Sequence, residues 1–294
     1  MSSGLDKFMM QLRMESKEKE NQNKPPITSP DVVQTTDFVF SSFCPLGHDG
    51  DSGSLLLAKQ KSNRTVQYVI KHACTDCACN EFVYTKLAQA MGYTMPNALL
   101  FQLSANEKRR YFKTEYIIGL HYLELEIESP SYAEIREKAV NWEEYFSFLG
   151  MYAMFGESDS FETPLAKDGK IYRIDTTDAF PISIWQLDDA GINTDIHGVN
   201  PYAIRKKQLL SSDFSHILLQ SWCDSYFESC QKIDNSCIPY FLEPFTRIQE
   251  IPNDYIDNFL NTLCYFYPDF IGDYFKHYIS ALQKQCAEYL KDKR

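Results

Sequence analysis

The sequence predicts an α+β protein with a sheet-rich N-terminal lobe followed by a helical C-terminal lobe. Two observations support this prediction. Between residues 37 and 118, short apolar segments alternate with polar turns, and a single stretch has helical spacing. After Gly119, apolar residues recur with the period of helices. With 294 residues, the chain is long enough to bury a full core in one large or two modest domains.

The composition limits the partners of the chain. Its formal net charge of −11 leaves no surplus of Lys and Arg to neutralise phosphates, so broad binding to nucleic acid or to anionic membranes is not expected. No apolar run approaches the roughly 18 residues of a membrane span, and the first residues lack the apolar core of a signal peptide. Nine scattered cysteines, an odd number, indicate reduced thiols. We therefore expect a cytoplasmic protein.

The pattern divides the chain into three parts. Residues 1–36 are predicted to form a mobile leader, because residues 1–30 are polar and end in a Pro-rich stretch. Residues 37–119 are predicted to form the N-lobe, an antiparallel sheet with one helix. Residues 120–294 are predicted to form a helical C-lobe that includes an acidic hairpin.

The N-lobe prediction depends on a series of strand-like segments. These segments are residues 38–40, 55–58, 66–71, 95–103 and 110–118, the last ended by Gly119. A Gly- and Ser-rich loop over residues 47–54 joins the first two. The tip of such a hairpin can bring backbone N–H groups close to a phosphate, although an ordinary surface loop is the alternative.

Lys71 ends one of these strands, and a helix is predicted over residues 80–92. Asn80 suits the N-cap, Glu81 suits the positive end of the helix dipole, and Gly92 suits the C′ position. A strand lysine that faces a glutamate on the next helix orients the phosphates of a nucleotide in kinases. The alternative is a surface lysine and a glutamate that only matches the dipole.

Three cysteines, Cys74, Cys77 and Cys79, lie between this strand and this helix. A structural zinc site needs four ligands and usually a second pair of the same spacing, which the other cysteines do not provide. Reduced structural thiols are therefore favoured.

The C-lobe is predicted to contain four helices. They cover residues 132–155, 201–231, 253–267 and 268–291. Their aromatic side chains are expected to form the core.

Residues 155–181 form an acidic segment with a predicted hairpin. Glu157, Asp159 and Glu162 precede an Asp-Gly turn at residues 168–169, and the following β-forming run, 171–174, ends on Asp175. Folding of the hairpin brings the loop carboxylates beside Asp175. Such oxygen ligands suit Mg²⁺, which proteins usually hold with one or two carboxylates plus substrate phosphates. An acidic surface hairpin is the alternative.

The order of these features resembles the atypical kinase fold that HipA-like kinases and phosphoinositide kinases share. The resemblance covers about residues 37–290 and its motifs are short. In these kinases the catalytic loop is Gly-Asp, then Asn five residues after the Asp, then Ile-Asp at the end of the next strand. Counted from Gly156, Glu157 occupies the catalytic Asp position, Glu162 the metal-binding Asn position and Asp175 the final Asp position. The sequence departs from the family at Glu157 and Glu162.

The resemblance implies a bilobed kinase-like fold that binds ATP with Mg²⁺ or Mn²⁺. It implies that Lys71 contacts the phosphates and that Glu81 orients it. Asp175 and Glu162 are implied as metal ligands, with Glu157, or Asp159 two residues further on, meeting the substrate hydroxyl. The resemblance also implies that the loop with Gly50, Ser52, Gly53 and Ser54 covers the phosphates. Main-chain groups near Glu115 and Ile117 are implied to hold the adenine.

Three functions remain open at this point. The first is a Mg/ATP-dependent phosphotransferase, a HipA-like Ser/Thr protein kinase whose partner is a protein substrate or an antitoxin-like protein. The second is a pseudokinase, or a toxin–antitoxin or effector-type interaction module, that keeps the fold without efficient transfer. The third is an α+β protein that binds no ligand.

Overall fold

The structure, a computed structural model, describes residues 31–43, 55–70, 75–104, 116–158, 160–177, 179–180, 214–266 and 269–293. Within these ranges a sheet-rich part precedes a helical part, so the α+β prediction is confirmed.

The N-terminal part is built on a six-stranded sheet with the order β1-β5-β6-β4-β3-β2. Its strands are β1 (Val32–Gln34), β2 (Phe38–Phe43), β3 (Leu55–Gln60), β4 (Gln67–Ile70), β5 (Ala98–Gln102) and β6 (Tyr116–His121). Neighbouring strands pair antiparallel except β1 and β5, which are parallel. The sheet is therefore mixed: the strands after residue 37 pair antiparallel with one another, and the parallel pair comes from β1, which precedes the predicted N-lobe.

Strand β1 lies inside the segment predicted to be a leader. The main-chain oxygen of Asp31 accepts a hydrogen bond from the Leu100 amide at 2.8 Å, which starts the pairing with β5. The Asp31 carboxylate pairs with Lys86 at 2.5 Å. The sheet thus begins at Val32 and not after residue 36, whereas residues 1–30 lie outside the described residues.

Gly119 lies inside β6, although the sequence pattern predicted that it would end the strand. A Cβ at this position would lie 2.4 Å from Cε2 of Phe101 and 2.7 Å from Cδ1 of Ile70. Glycine is therefore needed here because side chains of the neighbouring strands cover its Cα.

Helix α1 (Thr75–Ala90) packs on β5 and β6. It begins five residues before the predicted N-cap, so Asn80 lies within the helix and is not its cap. Its inward residues Phe82, Val83 and Leu87 are fully buried. Gly92 follows the end of the helix with φ of 85°, as its predicted C′ position requires.

The predicted helix over residues 132–155 is two helices, α2 (Tyr132–Lys138) and α3 (Glu144–Met154). Ala139 adopts an extended conformation after α2. The break lets Asn141 hold the main chain of Ile171, accepting from its N–H at 2.9 Å and donating to its oxygen at 3.1 Å. The interruption thus places Asn141 where its side chain binds the main chain of the acidic hairpin.

The remaining helices are α4 (Gln220–Ile233), α5 (Ile238–Arg247), α6 (Asn253–Phe266) and α7 (Asp269–Lys293). Helix α4 begins well after residue 201, since residues 214–219 are not helical and residues 201–213 are outside the description. Helix α5 was not predicted, and it contains Pro239 and Pro244. Pro239 lies in the first turn, where proline is tolerated. Helix α3 packs chiefly on α5 in the core of this part.

Two smaller strands form a separate two-stranded sheet. Strand β7 (Leu125–Ile127) pairs antiparallel with β8 (Leu165–Ala166), which is the first strand of the acidic hairpin. Among the described helices, none combines the length and the apolar character that a membrane crossing requires.

Candidate functional site

The acidic segment folds as the hairpin that the sequence predicts. The Ala166 amide donates to the oxygen of Lys170 at 2.9 Å, and the Gly169 amide donates to the oxygen of Ala166 at 3.0 Å. Gly169 has φ of 78°, a conformation that glycine adopts without strain. Bridges between Leu165 and Ile171 and between Glu162 and Ile174 continue the pairing.

This pairing brings Glu162 next to Asp175. The Ile174 amide donates to the main-chain oxygen of Glu162 at 3.3 Å, so Asp175 follows the residue that lies opposite Glu162. Both carboxylate residues are half-buried. Ser160 donates its hydroxyl to Oε1 of Glu162 at 2.9 Å.

Asp175 has a left-handed backbone conformation, with φ of 56°. Aspartate enters this region more easily than most residues, yet it remains a strained conformation that the surroundings must hold. This conformation interrupts the regular alternation of side chains along the strand. The interruption falls at Asp175, the residue for which a metal contact is predicted.

No group of three or more His, Cys, Asp or Glu side chains suited to a metal ion occurs among the described residues. Two carboxylates are nevertheless what Mg²⁺ commonly takes from a protein when nucleotide phosphates supply further oxygens. Glu162 and Asp175 fit that donor set. They do not fit a metal site built from protein ligands alone.

Glu157 and Arg173 form an ion pair in which both side chains have 0% exposure. The Arg173 guanidinium donates through Nη2 to the Glu157 carboxylate. Through Nη1 it donates to the main-chain oxygens of Glu162, at 3.1 Å, and of Ile174. It also lies over the ring of Phe161, with Cζ 5.2 Å from the centroid.

Electrostatics favour the charged form of this arginine. Burial acts to lower the pKa of Arg173, but Glu157 and then Tyr84 outweigh it, so the pKa lies above its ordinary value. Burial, and then the Glu157 carboxylate, raise the pKa of Tyr84 well above its ordinary value. Tyr84 belongs to α1, so this helix contacts the ion pair of the hairpin.

Asn80 fixes α1 to the chain beyond Asp175. Its side-chain amide donates to the main-chain oxygens of Thr177 at 3.1 Å and of Ala179 at 2.9 Å. The neighbouring Glu81 is buried, with 1% exposure. The helix that carries Glu81 and the segment that leaves Asp175 are therefore held together.

The predicted site residues thus divide into three groups. Glu81, Glu157, Glu162 and Asp175 lie on α1 and the hairpin, which the structure joins through Asn80 and the Tyr84 contact. Ile117 is buried in β6, opposite Phe101. The residues that lie outside the described part of the chain are Gly50, Ser52, Gly53, Ser54, Lys71, Glu115 and Asp159.

Sequence reasoning did not single out Tyr84 or Arg173 and assigned Asn80 to a helix cap. Arg173 had one available signal, since it is a cation within a β-forming run whose other members include Ile171 and Ile174. Tyr84 resembled any other aromatic of a helix. Cys79, from the cysteine cluster, is buried in the core.

Comparisons with known proteins give little further identification. No protein-family model and no curated protein matches the chain. Among solved structures, the crystal structure of a Helicobacter pylori proinflammatory kinase, CtkA, superposes with a TM-score of 0.41 and 10% sequence identity, covering 87% of this chain and 99% of that chain. Likeness at this level does not identify a function.

Proposed function

We propose that this chain is a nucleotide-binding protein of kinase-like architecture and a Mg²⁺- or Mn²⁺-dependent phosphotransferase that uses ATP. The observation that supports it is the pair of hydrogen bonds from Asn80 to Thr177 and Ala179. They bring the helix of Glu81 against the segment that leaves Asp175. A glutamate that orients the phosphate-binding lysine and a metal-binding aspartate need this proximity to act on one nucleotide.

The proposal gives each site residue a role. Glu81 orients Lys71, which contacts the phosphates, and the Gly50–Ser54 loop covers them. The main chain near Glu115 and Ile117 holds the adenine.

The metal side of the site is supplied by the hairpin. Glu162 and Asp175 would hold the ion, which would supply positive charge to offset that of the phosphates during transfer. Asp159 accepts the proton of the hydroxyl of a protein Ser or Thr. The protein partner is a substrate or an antitoxin-like protein.

A second candidate function is nucleotide binding without transfer. The observation that favours it is the burial of Glu157, which occupies the position of the catalytic base in the resemblance and is paired with Arg173 at 0% exposure. A carboxylate in that setting is closed to a substrate hydroxyl. The protein is then a pseudokinase, or an interaction module of the toxin–antitoxin or effector type.

Transfer from radiolabelled ATP tests the first function. The full chain is incubated with Mg²⁺ or Mn²⁺ and candidate protein substrates, beside Asp175→Ala and Asp159→Ala. Asp168→Ala is the matched control, because Asp168 lies in the turn of the same hairpin and its hydrogen bonds within the described part of the chain are to Tyr172 and the Lys170 amide. We expect transfer by wild type and Asp168→Ala and its loss in the other two variants. Equal transfer by wild type and Asp175→Ala contradicts the proposal.

A thermal-shift measurement separates the two candidates. A ligand at about 100 times its Kd adds roughly 2.7 kcal/mol of stability, which is readily detected. ATP binding without transfer to any acceptor, including the chain itself, favours the second function. Absence of any shift with ATP and metal contradicts both.

A further inference from the structure

We propose that Arg173 is the positioning residue of the metal–nucleotide site, holding the main chain at both Glu162 and Asp175, with Glu157 as its counter-ion. This inference rests on the proposed function, and it deepens it by explaining how two half-buried carboxylates from different segments keep one geometry.

A single nitrogen of Arg173 contacts both segments. Nη1 donates to the main-chain oxygen of Glu162 at 3.1 Å and to that of Ile174. The Ile174 carbonyl and the Asp175 nitrogen belong to one planar peptide unit, so fixing that oxygen fixes the point from which Asp175 departs. The position of the guanidinium therefore sets the spacing of the two predicted metal ligands.

The guanidinium itself has little freedom. Nη2 is engaged by Glu157, and the rings of Phe161 and Tyr152 lie with their centroids 5.2 Å and 5.7 Å from Cζ. The Arg173 side chain has 0% exposure, which leaves no surface on which water competes for these contacts. A planar, rigid fork of donors suits this arrangement better than the flexible point charge of a lysine.

Asp175 needs such support because its φ of 56° is strained. Strained residues persist only where the surrounding structure over-determines them. Arg173 holds the peptide unit before Asp175, and Asn80 holds the oxygens of Thr177 and Ala179 after it. The aspartate is thus constrained from both sides, in a manner expected of a residue whose carboxylate must not move.

The test measures binding of a fluorescent ATP analogue, mant-ATP, to the full chain with Mn²⁺ and with EDTA. The readout is the metal-dependent gain, defined as Kd in EDTA divided by Kd in Mn²⁺. Loss of a group that orients metal ligands typically costs about 10- to 100-fold in metal affinity. We expect Arg173→Lys to lower the gain by about ten-fold or more and to leave Kd in EDTA within about two-fold of wild type. If Arg173 acts in folding alone, Arg173→Lys does not change Kd in Mn²⁺ while sparing Kd in EDTA.

Arg247→Lys is the matched control. Arg247 pairs with Glu243 at 2.6 Å, donates to the oxygen of Met91 at 2.5 Å and lies over the Tyr93 ring at 5.1 Å. It has the same three kinds of contact, and none of them, among the described residues, is with the hairpin. We expect its metal-dependent gain to equal that of wild type.

A second variant keeps the inference testable if Arg173→Lys does not fold, as judged by circular dichroism. Phe161→Leu removes the ring from one side of the guanidinium without removing its charge, and we expect it to lower the gain by a smaller factor. A folded Arg173→Lys protein that keeps the whole gain overturns the inference while leaving the proposed function standing. A wild-type protein that binds mant-ATP in neither condition overturns both.

Discussion

Asn80 in α1 donates its side-chain amide to the main-chain oxygen of Ala179 at 2.9 Å, although 99 residues separate the two in the chain. The same amide reaches the oxygen of Thr177 at 3.1 Å. The helix of the N-terminal part and the chain beyond the acidic hairpin are therefore joined through one buried side chain. The proposed nucleotide site depends on this junction.

Replacing Asn80 with alanine is expected to weaken both stability and nucleotide binding. The buried carbonyl oxygen of Ala179 and the partly buried one of Thr177 lose their donor, and an unsatisfied buried polar group costs about 1–3 kcal/mol. Urea unfolding measures the loss of stability, and a titration with ATP and Mg²⁺ measures the affinity. We expect the affinity to fall because α1 is no longer held against the hairpin.

Gln283→Ala is the control for this prediction. Gln283 also donates a side-chain amide to two main-chain oxygens, those of Ile248 at 2.9 Å and Ile251 at 3.5 Å, but within the helical part. It is expected to lose stability while keeping ATP affinity. Equal effects of the two variants on affinity contradict a specific role for Asn80.

Removing one member of the Glu157–Arg173 pair is expected to be severe. Glu157→Gln leaves the buried arginine without its counter-ion, which typically costs about 3–5 kcal/mol. Replacing both residues, as in Glu157→Leu with Arg173→Met, is expected to cost less than the sum of the single changes, because no charge remains buried. Urea unfolding of Glu157→Gln, Glu157→Leu, Arg173→Met and the double variant gives these free energies.

The pair of Lys167 and Glu124 provides a surface comparison. Its side chains are 64% and 67% exposed, whereas those of Glu157 and Arg173 are fully buried. Exposed pairs contribute about 0–1 kcal/mol, so Glu124→Gln is expected to be nearly neutral. If Glu157→Gln loses as little stability as Glu124→Gln, the result contradicts a buried ion pair between Glu157 and Arg173.

Gly119→Ala is expected to destabilise the sheet by about 1–3 kcal/mol, the usual cost of overpacking. The new Cβ would lie 2.4 Å from the Phe101 ring. Combining it with Phe101→Leu removes the contacted ring atoms, so the double variant should be more stable than the two separate losses predict. Thermal unfolding of the four proteins checks this. Strict additivity contradicts the proposed contact.

Alkaline pH is expected to destabilise the protein through Cys223. Burial, and then Asp224, raise the pKa of its thiol from 9.0 to about 12. Because the folded chain keeps the proton longer than the unfolded chain, this contribution to stability is complete below about pH 9 and is lost as pH rises towards 12. Each pH unit within that window costs up to about 1.4 kcal/mol.

Urea unfolding at pH 8 and pH 10.5, with a reducing agent present, measures the effect. Cys223→Ala is expected to lose less stability than wild type between the two pH values. An identical loss in both proteins contradicts the contribution of this thiol.

The sequence predicts best what local chemistry determines. The Asp-Gly turn at Gly169 and the β-forming run after it specify the hairpin, and with it the meeting of Glu162 and Asp175. Strand-like alternation likewise locates much of the sheet, and the spacing of apolar residues locates α6 and α7.

The features that the sequence did not predict depend on contacts between residues that are far apart in the chain. Gly119 looks like a strand breaker until its close neighbours on β4 and β5 are known. The split between α2 and α3 is stabilised by Asn141, whose partner Ile171 lies 30 residues away. Arg173 is a buried cation only because Glu157 reaches it from another segment. No local pattern of residues encodes these contacts.

The most direct measurement of the central claim is titration calorimetry of ATP with and without Mg²⁺ on wild type, Asp175→Ala and the hairpin control Asp168→Ala. If Glu162 and Asp175 hold the metal of a nucleotide site, Mg²⁺ tightens ATP binding to wild type and Asp168→Ala, and Asp175→Ala loses that gain. ATP binding that is unaffected by Mg²⁺ in wild type, or a gain that Asp175→Ala retains in full, contradicts the claim.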